Sequence, residues 1–71
     1  MQTLEELTES AWQISGHNPV MCNLLLTQID GFWYADFESR DEGLPMQPCG
    51  SGKTIHAALE NLVGELLKAK A

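Results

Sequence analysis

The chain has 71 residues, of which 44% are hydrophobic, ten are Asp or Glu and four are Lys or Arg, so its formal net charge is -6. This length holds one small domain, residues 1–71, and excludes a Rossmann fold with a substrate domain, a TIM barrel or a complete P-loop nucleotidase. No apolar run reaches the roughly 18–20 residues that cross a membrane. The acidity disfavours direct DNA or RNA binding, which needs clustered Lys and Arg, and suits a basic protein partner.

The beginning of the chain and its cysteines predict a cytoplasmic protein. Residues 1–9 contain no basic residue and no apolar stretch, so a secretory signal is not expected. In a reducing cytoplasm Cys22 and Cys49 are expected to be free thiols. A domain this small buries only about 60% of the surface of its unfolded chain, which makes it marginally stable. A homodimer is one way to raise that stability.

A first helix is predicted to start at Thr3 and to end at Ser15-Gly16. Thr3, with Glu6 three residues later, forms a capping box in which each side chain binds the other residue's backbone N–H. Gly16 suits the left-handed conformation that ends many helices. The residues that recur at helical spacing and predict one buried face are Leu4, Leu7, Ala11 and Ile14, flanked by Trp12.

Two strands, residues 20–29 and 32–39, are predicted on either side of Asp30-Gly31. Asp-Gly between apolar runs indicates a two-residue type I′ turn, and a loop of this length fixes the strand register. The register puts Cys22, Leu24, Leu26, Trp33, Ala35 and Phe37 on one face, the better candidate for the core. It puts Leu25, Ile29, Phe32 and Tyr34 on the other face with Asp36 and Glu38, a mixture too apolar to be plainly solvated.

The rest of the chain predicts a loop, a short strand and a second helix. Residues 40–43 read as a charged turn, and residues 44–52, rich in Pro and Gly, are expected to form at most a short edge strand around residues 46–49. The second helix is predicted from the N-cap Thr54 to about Lys70. Its apolar stripe contains Ile55, Ala58, Leu59, Leu62, Leu66 and Ala69. The predicted fold class is therefore α+β, in the order α-β-β-β-α, with a small three-stranded antiparallel sheet.

Two patterns that suggest chemistry lack the context they need. Residues 50–54 read GSGKT, like the end of a Walker A loop, but Gln47 stands where the first glycine belongs. We interpret this segment as a flexible glycine turn before a helix N-cap. His17, Cys22, Cys49 and His56 have the composition of a zinc site without its usual spacing. We therefore expect no catalytic residue, no metal and no cofactor.

An acidic cluster beside the aromatic strand is the best candidate for a binding site. Apolar anchors next to carboxylates are typical of a surface that recognises a basic protein. The alternative is that the first helix or a second subunit covers this sheet face. The predicted partner-binding residues are Leu25, Phe32, Tyr34, Asp36, Glu38, Asp41 and Glu42.

The second half of the chain carries a spaced pattern of turn and helix residues. An aromatic strand at residues 32–37 is followed by Pro48-Cys49, by Gly52-Lys53-Thr54 and by Ala58-Leu59-Glu60-Asn61-Leu62. In this spacing, Gly-x-Thr-x-x-x-Ala-Leu-x-Asn, residues 31–67 resemble the HicB-like antitoxin domain. The chain departs from that family at Lys53, where an acid is usual, in the loop of residues 39–46, and in its additional first helix.

The resemblance implies a reduced ribonuclease H-like fold without the catalytic carboxylates, standing alone without the DNA-binding module of full antitoxins. Such domains are usually non-enzymatic and bind a protein, often a basic RNA-cleaving toxin. We therefore expect an acidic protein-binding module that inhibits or masks a basic, nucleic-acid-handling partner. The alternatives are a phage-encoded inhibitor of a host defence nuclease or CRISPR complex, a structural dimerisation domain, and a small metal-binding protein or enzyme.

Overall fold

The computed structural model describes residues 2–70 and confirms the α+β class and the α-β-β-β-α order. The elements are α1 (Leu4–Ser15), β1 (Cys22–Ile29), β2 (Phe32–Ser39), β3 (Pro45–Gly52) and α2 (Ile55–Lys70). The strands form one antiparallel sheet in the order β1-β2-β3. Strand β2 is therefore central, and β1 and β3 are the two edges.

Capping chemistry sets both ends of α1 and the start of α2, as predicted. The Thr3 N–H donates to Glu6 Oε1 at 2.9 Å, and the Glu6 N–H donates to Thr3 Oγ1 at 3.1 Å. Both the backbone and the side chain of Thr3 stabilise the charged carboxylate and lower the pKa of Glu6. Gly16 ends α1 with a φ of 71°. At the start of α2, Thr54 Oγ1 accepts the N–H of Ala57 at 3.0 Å.

The β1–β2 hairpin has the predicted register throughout. Asp30 and Gly31 have φ values of 51° and 83°, both positive as a type I′ turn requires. The pairing runs without a shift from Ile29 opposite Phe32 to Cys22 opposite Ser39. Strand β1 begins two positions later than predicted, because residues 19–21 form a turn before it.

Strand β3 is longer than the predicted short strand of residues 46–49. It spans eight residues, Pro45–Gly52. Its prolines occupy positions that a strand tolerates, since Pro45 is the first residue and Pro48 lies in an irregularity of the pairing with β2. The Gln47–Pro48 peptide bond there is cis. Regular pairing resumes where Gly50 faces Ala35.

The segment read as a flexible glycine turn is mostly strand, so that prediction is wrong. Residues 50–52 belong to β3, and only residues 53 and 54 lie between β3 and α2. A Cβ atom at Gly50 would overlap backbone atoms of Ala58 and Leu62, and one at Gly52 would overlap Ala57. The two glycines therefore allow α2 to lie directly against β3.

The hydrophobic core lies between the helices and one face of the sheet. Its buried members are Leu7, Ala11, Ala35, Phe37, Ala58, Leu59, Leu62 and Leu66. The rings of Trp12 and His17 each pack edge-on against Phe37, with centroids 4.8 Å apart in both pairs. The predicted core face of the hairpin is confirmed at Ala35 and Phe37 but is wrong at Leu26, which is 42% exposed. Helix α2 packs on β3 and β2, and it leaves the part of β1 that contains Leu26 uncovered.

Candidate protein-binding surface

Five of the predicted binding residues share the sheet face that lies opposite the helices. Phe32, Tyr34, Asp36 and Glu38 occupy alternate positions of β2, and Leu25 of β1 pairs with Asp36. We call this set the acidic sheet face. Phe32 is 44% and Tyr34 is 38% exposed, and the other three are half-buried. The structure therefore brings these predicted residues together.

Within residues 2–70, neither helix covers the acidic sheet face. The intervening β2 residues, Ala35 and Phe37, are buried in the core with residues of both helices. Since successive strand residues point to opposite sides of a sheet, the acidic sheet face is on the far side. Of the two alternatives left by the sequence, cover by the first helix is wrong; cover by a second subunit stays open.

The carboxylates of this surface have no ion-pair partner among residues 2–70. The contacts of acidic with basic side chains in that part of the chain join His56 to Glu60 at 3.0 Å and Lys68 to Glu65 at 3.6 Å, both within α2. Burial raises the pKa of Asp36, because loss of water disfavours the charged form. Asp36 therefore loses hydration on this face, and no cation among residues 2–70 offsets that loss.

Asp36→Asn is expected to raise the free energy of unfolding at about pH 7, and to raise it less at about pH 3. A pKa that is raised in the folded state means that folding takes up a proton between the unfolded-state and folded-state values. Stability therefore falls as the pH rises through that window and stays reduced above it, and the amide variant avoids this loss. Urea unfolding at the two pH values measures the effect.

Asp41→Asn is the matched control for this prediction. It removes the same charge from an exposed turn, so it reports only the general relief of the net charge of -6. An Asp36→Asn effect at pH 7 no larger than that of Asp41→Asn contradicts a local burial penalty at Asp36.

Asp41 and Glu42 lie in the exposed turn that follows β2, which we call the acidic turn. The turn is closed by the Gly43 N–H, which donates to the Ser39 carbonyl at 2.8 Å. Nearby, Arg40 Nε donates to Asn23 Oδ1 at 2.9 Å, which holds this guanidinium against β1. The acidic turn continues the run of carboxylates beyond Glu38 at the end of the sheet.

Ile29 belongs to the same face but was not predicted as a binding residue. It is exposed and pairs with Phe32 beside the hairpin turn. The register alone was sufficient to find it, since alternation places it next to the aromatic residues. With Ile29 included, the face has an apolar end near the hairpin turn and an acidic end near residues 36–42.

The residues considered for a zinc site lie in different parts of the structure. His17 packs on the ring of Phe37, Cys22 is buried on β1, Cys49 is exposed on β3 and His56 is in the first turn of α2. In residues 2–70 no three His, Cys, Asp or Glu side chains form a group able to hold a metal ion, and no pocket is found. The candidate site is therefore an open surface.

Comparison with known proteins adds no family to this description. No family model, curated protein or solved structure matches the chain. Of the helices in residues 2–70, neither is long and apolar enough to cross a membrane. The resemblance of residues 31–67 to the HicB-like antitoxin domain stays a prediction based on the spacing of motif residues.

Proposed function

We propose that this chain is a non-enzymatic, cytoplasmic protein-binding module that masks a basic, nucleic-acid-handling partner. The observation that supports the proposal is the acidic sheet face, which no helix covers and whose carboxylates have no cation beside them within residues 2–70. An aromatic patch adjoining carboxylates is what a Lys/Arg-rich protein surface would bind most favourably.

Binding would use the two ends of the face differently. Phe32 and Tyr34 would enter apolar depressions on the partner, since partly exposed aromatic residues supply much of the binding energy in protein interfaces. Asp36 and Glu38 would pair with Lys or Arg side chains that otherwise bind phosphate, and the net charge of -6 would accelerate encounter. A cation beside Asp36 would also reverse the effect of burial on its pKa.

The dimensions of the sheet indicate that the acidic turn also belongs to the interface. Three strands of eight residues give a face of about 14 by 26 Å, or roughly 370 Å² before side-chain relief is counted. A standard protein interface buries about 800 Å² on each partner. The adjoining surface of the same sign is the acidic turn, so we expect Asp41 and Glu42 to contact the partner too.

Reversing the four charges at positions 36, 38, 41 and 42 to Lys is expected to weaken partner binding at least about tenfold at about 0.15 M salt. The probes are purified basic RNA-cleaving toxins and CRISPR-associated nucleases, immobilised and titrated with the chain over a range of salt concentrations. A bound probe should also lose RNA cleavage as the wild-type chain is added.

The control reverses Glu5, Glu9, Glu60 and Glu65 to Lys. Both variants change the net charge from -6 to +2, but the control places all four changes on the helices, away from the acidic sheet face. The control is expected to keep most of the affinity. Equal loss in both variants would mean that only overall charge matters, and full binding by the first variant would exclude the proposed surface.

A second pair of substitutions separates binding by this face from a purely structural role. Phe32→Ala together with Tyr34→Ala removes the aromatic end and leaves every carboxylate in place. For the proposed module this variant should bind its probe at least about tenfold more weakly. A structural dimerisation domain predicts no change in probe capture.

A further inference from the structure

We propose that the free edge of β1 pairs antiparallel with β1 of a second copy of this chain, which joins two sheets into one of six strands. This surface is distinct from the acidic sheet face, and the inference does not depend on the proposed function.

The two edges of the sheet differ in how they are protected. On β3, the prolines at positions 45 and 48, an irregularity in the pairing and the helix packed over it all oppose further strand pairing. Strand β1, Cys22–Ile29, is eight residues long, pairs without a shift and contains no charged residue, proline or glycine. Long, regular, uncharged edges readily pair with another strand, and proteins normally protect them.

The hairpin identifies which backbone groups of β1 point outwards. The Arg40 N–H donates to the Met21 carbonyl across the hairpin at 2.9 Å, so odd-numbered positions of this strand direct their hydrogen-bonding groups towards β2. Even-numbered positions direct them to the free edge. The outward N–H of Cys22 already donates to the Asn18 carbonyl at 2.9 Å. Leu24, Leu26 and Gln28 therefore carry the outward N–H groups that remain available.

These three positions define one register for the pair. Placing Leu26 opposite Leu26 of the second copy puts Leu24 opposite Gln28 and engages every available N–H, giving about six interchain hydrogen bonds. Moving the centre one residue towards Cys22 would require the N–H that Asn18 already binds. The two-fold axis lies perpendicular to the sheet at Leu26, so the acidic sheet faces of both copies lie on the same side of the joined sheet.

The exposure of Leu26 and the absence of charged residues from β1 also favour a second copy as the occupant. Leu26 points to the helix side of the sheet but lies beyond the cover of α2, and the proposed axis brings it against its own counterpart. Two chains that each carry a net charge of -6 repel one another, and an uncharged strand gives them a place to meet. Asp36 of each copy lies one strand beyond β1, so the two Asp36 side chains would be about 16 Å apart across the joined sheet, beyond the screening length of about 8 Å.

Sedimentation and amide hydrogen exchange of the full chain test the proposal. A single strand pair is a small interface, so we expect a dissociation constant in the micromolar range and a dimer at about 0.5 mM. Exchange at Leu24, Leu26 and Gln28 should slow as the concentration rises. The odd-numbered amides of β1, which bond within the hairpin, should be protected at every concentration.

Leu26→Lys places two like charges in contact at the axis and should raise the dissociation constant at least about tenfold. Leu67→Lys makes the same change at an exposed leucine of α2 and should leave the dissociation constant unaltered. Gln28→Pro removes an outward N–H without removing a bond of the hairpin, so the variant should fold and be monomeric. Gln28→Pro therefore tests the same interface if Leu26→Lys folds poorly.

A wild-type chain that is monomeric at about 0.5 mM overturns the proposal and leaves the edge to a strand of another protein. A dimer in which Leu24, Leu26 and Gln28 exchange freely also overturns it, because the interface would then be elsewhere. Assemblies larger than a dimer contradict it as well, since isologous pairing of one edge closes after two copies.

Discussion

Replacing Phe37 with Ala is expected to lower the free energy of unfolding by about 3–5 kcal/mol. The side chain is 1% exposed and is one of the largest fully buried groups in the core. Its ring also holds those of Trp12 and His17, so the cavity would be bordered by groups from α1 and from the segment after it. A domain of this size typically has a total free energy of unfolding of about 4–10 kcal/mol, so the variant should be largely unfolded at modest urea concentrations.

Phe32→Ala is the matched control because it makes the same change in the same strand, five positions earlier and on the opposite sheet face. Because 44% of the surface of Phe32 is exposed, Phe32→Ala should lower the free energy of unfolding by less than about 1 kcal/mol. Urea unfolding followed by tryptophan fluorescence compares the two, and Phe37→Leu provides a smaller loss if Phe37→Ala does not fold. Similar losses for the two alanine variants would contradict the separation of a core face from a free face.

The features that could be predicted from the sequence depend on interactions between near neighbours in the chain. The capping box of α1 involves residues three apart, and the hairpin register follows from a turn of two residues with positive φ. Those local rules placed Ala35 and Phe37 in the core and Phe32 and Tyr34 on the opposite face. They needed no knowledge of how the helices pack.

The full length of strand β3 could not be predicted because its local sequence opposes its structure. Two prolines and two glycines in eight residues favour a loop, and they are accommodated only through pairing with β2 and packing under α2. The exposure of Leu26 could not be predicted for a related reason. Alternation shows which side of the sheet a residue faces, but whether a helix covers that side depends on where α2 crosses it.

The composition of the candidate site was predictable, and its accessibility was not. Register placed the aromatic and acidic residues together, but only the packing of α1 against α2 shows that the first helix leaves their face uncovered. The same register places Ile29 on this face, where it enlarges the apolar end. The small domain thus uses β2 twice, with one face for folding and the other available for binding.

Gly50→Ala is expected to lower the free energy of unfolding by about 1–3 kcal/mol, because a Cβ atom at this position has no space. It would overlap the Leu62 N–H and the Ala58 carbonyl, which are backbone atoms of α2 and cannot turn aside as a side chain would. The helix would have to move away from β3, and with it the contact between Ala58 and the sheet. Urea unfolding measures the loss.

Gly64→Ala makes the same change inside α2 and is expected to have the opposite sign. No atom lies within 4 Å of a Cβ placed there, apart from the helix's own neighbouring backbone and adjacent residues. Glycine in a helix interior costs about 0.5–1 kcal/mol relative to alanine, so this variant should gain about that much. A loss at Gly64 equal to that at Gly50 would show that the close approach of α2 to β3 does not determine the sign. Combined with Gly50→Ala, the change should recover part of the lost stability, since the two sites affect separate interactions.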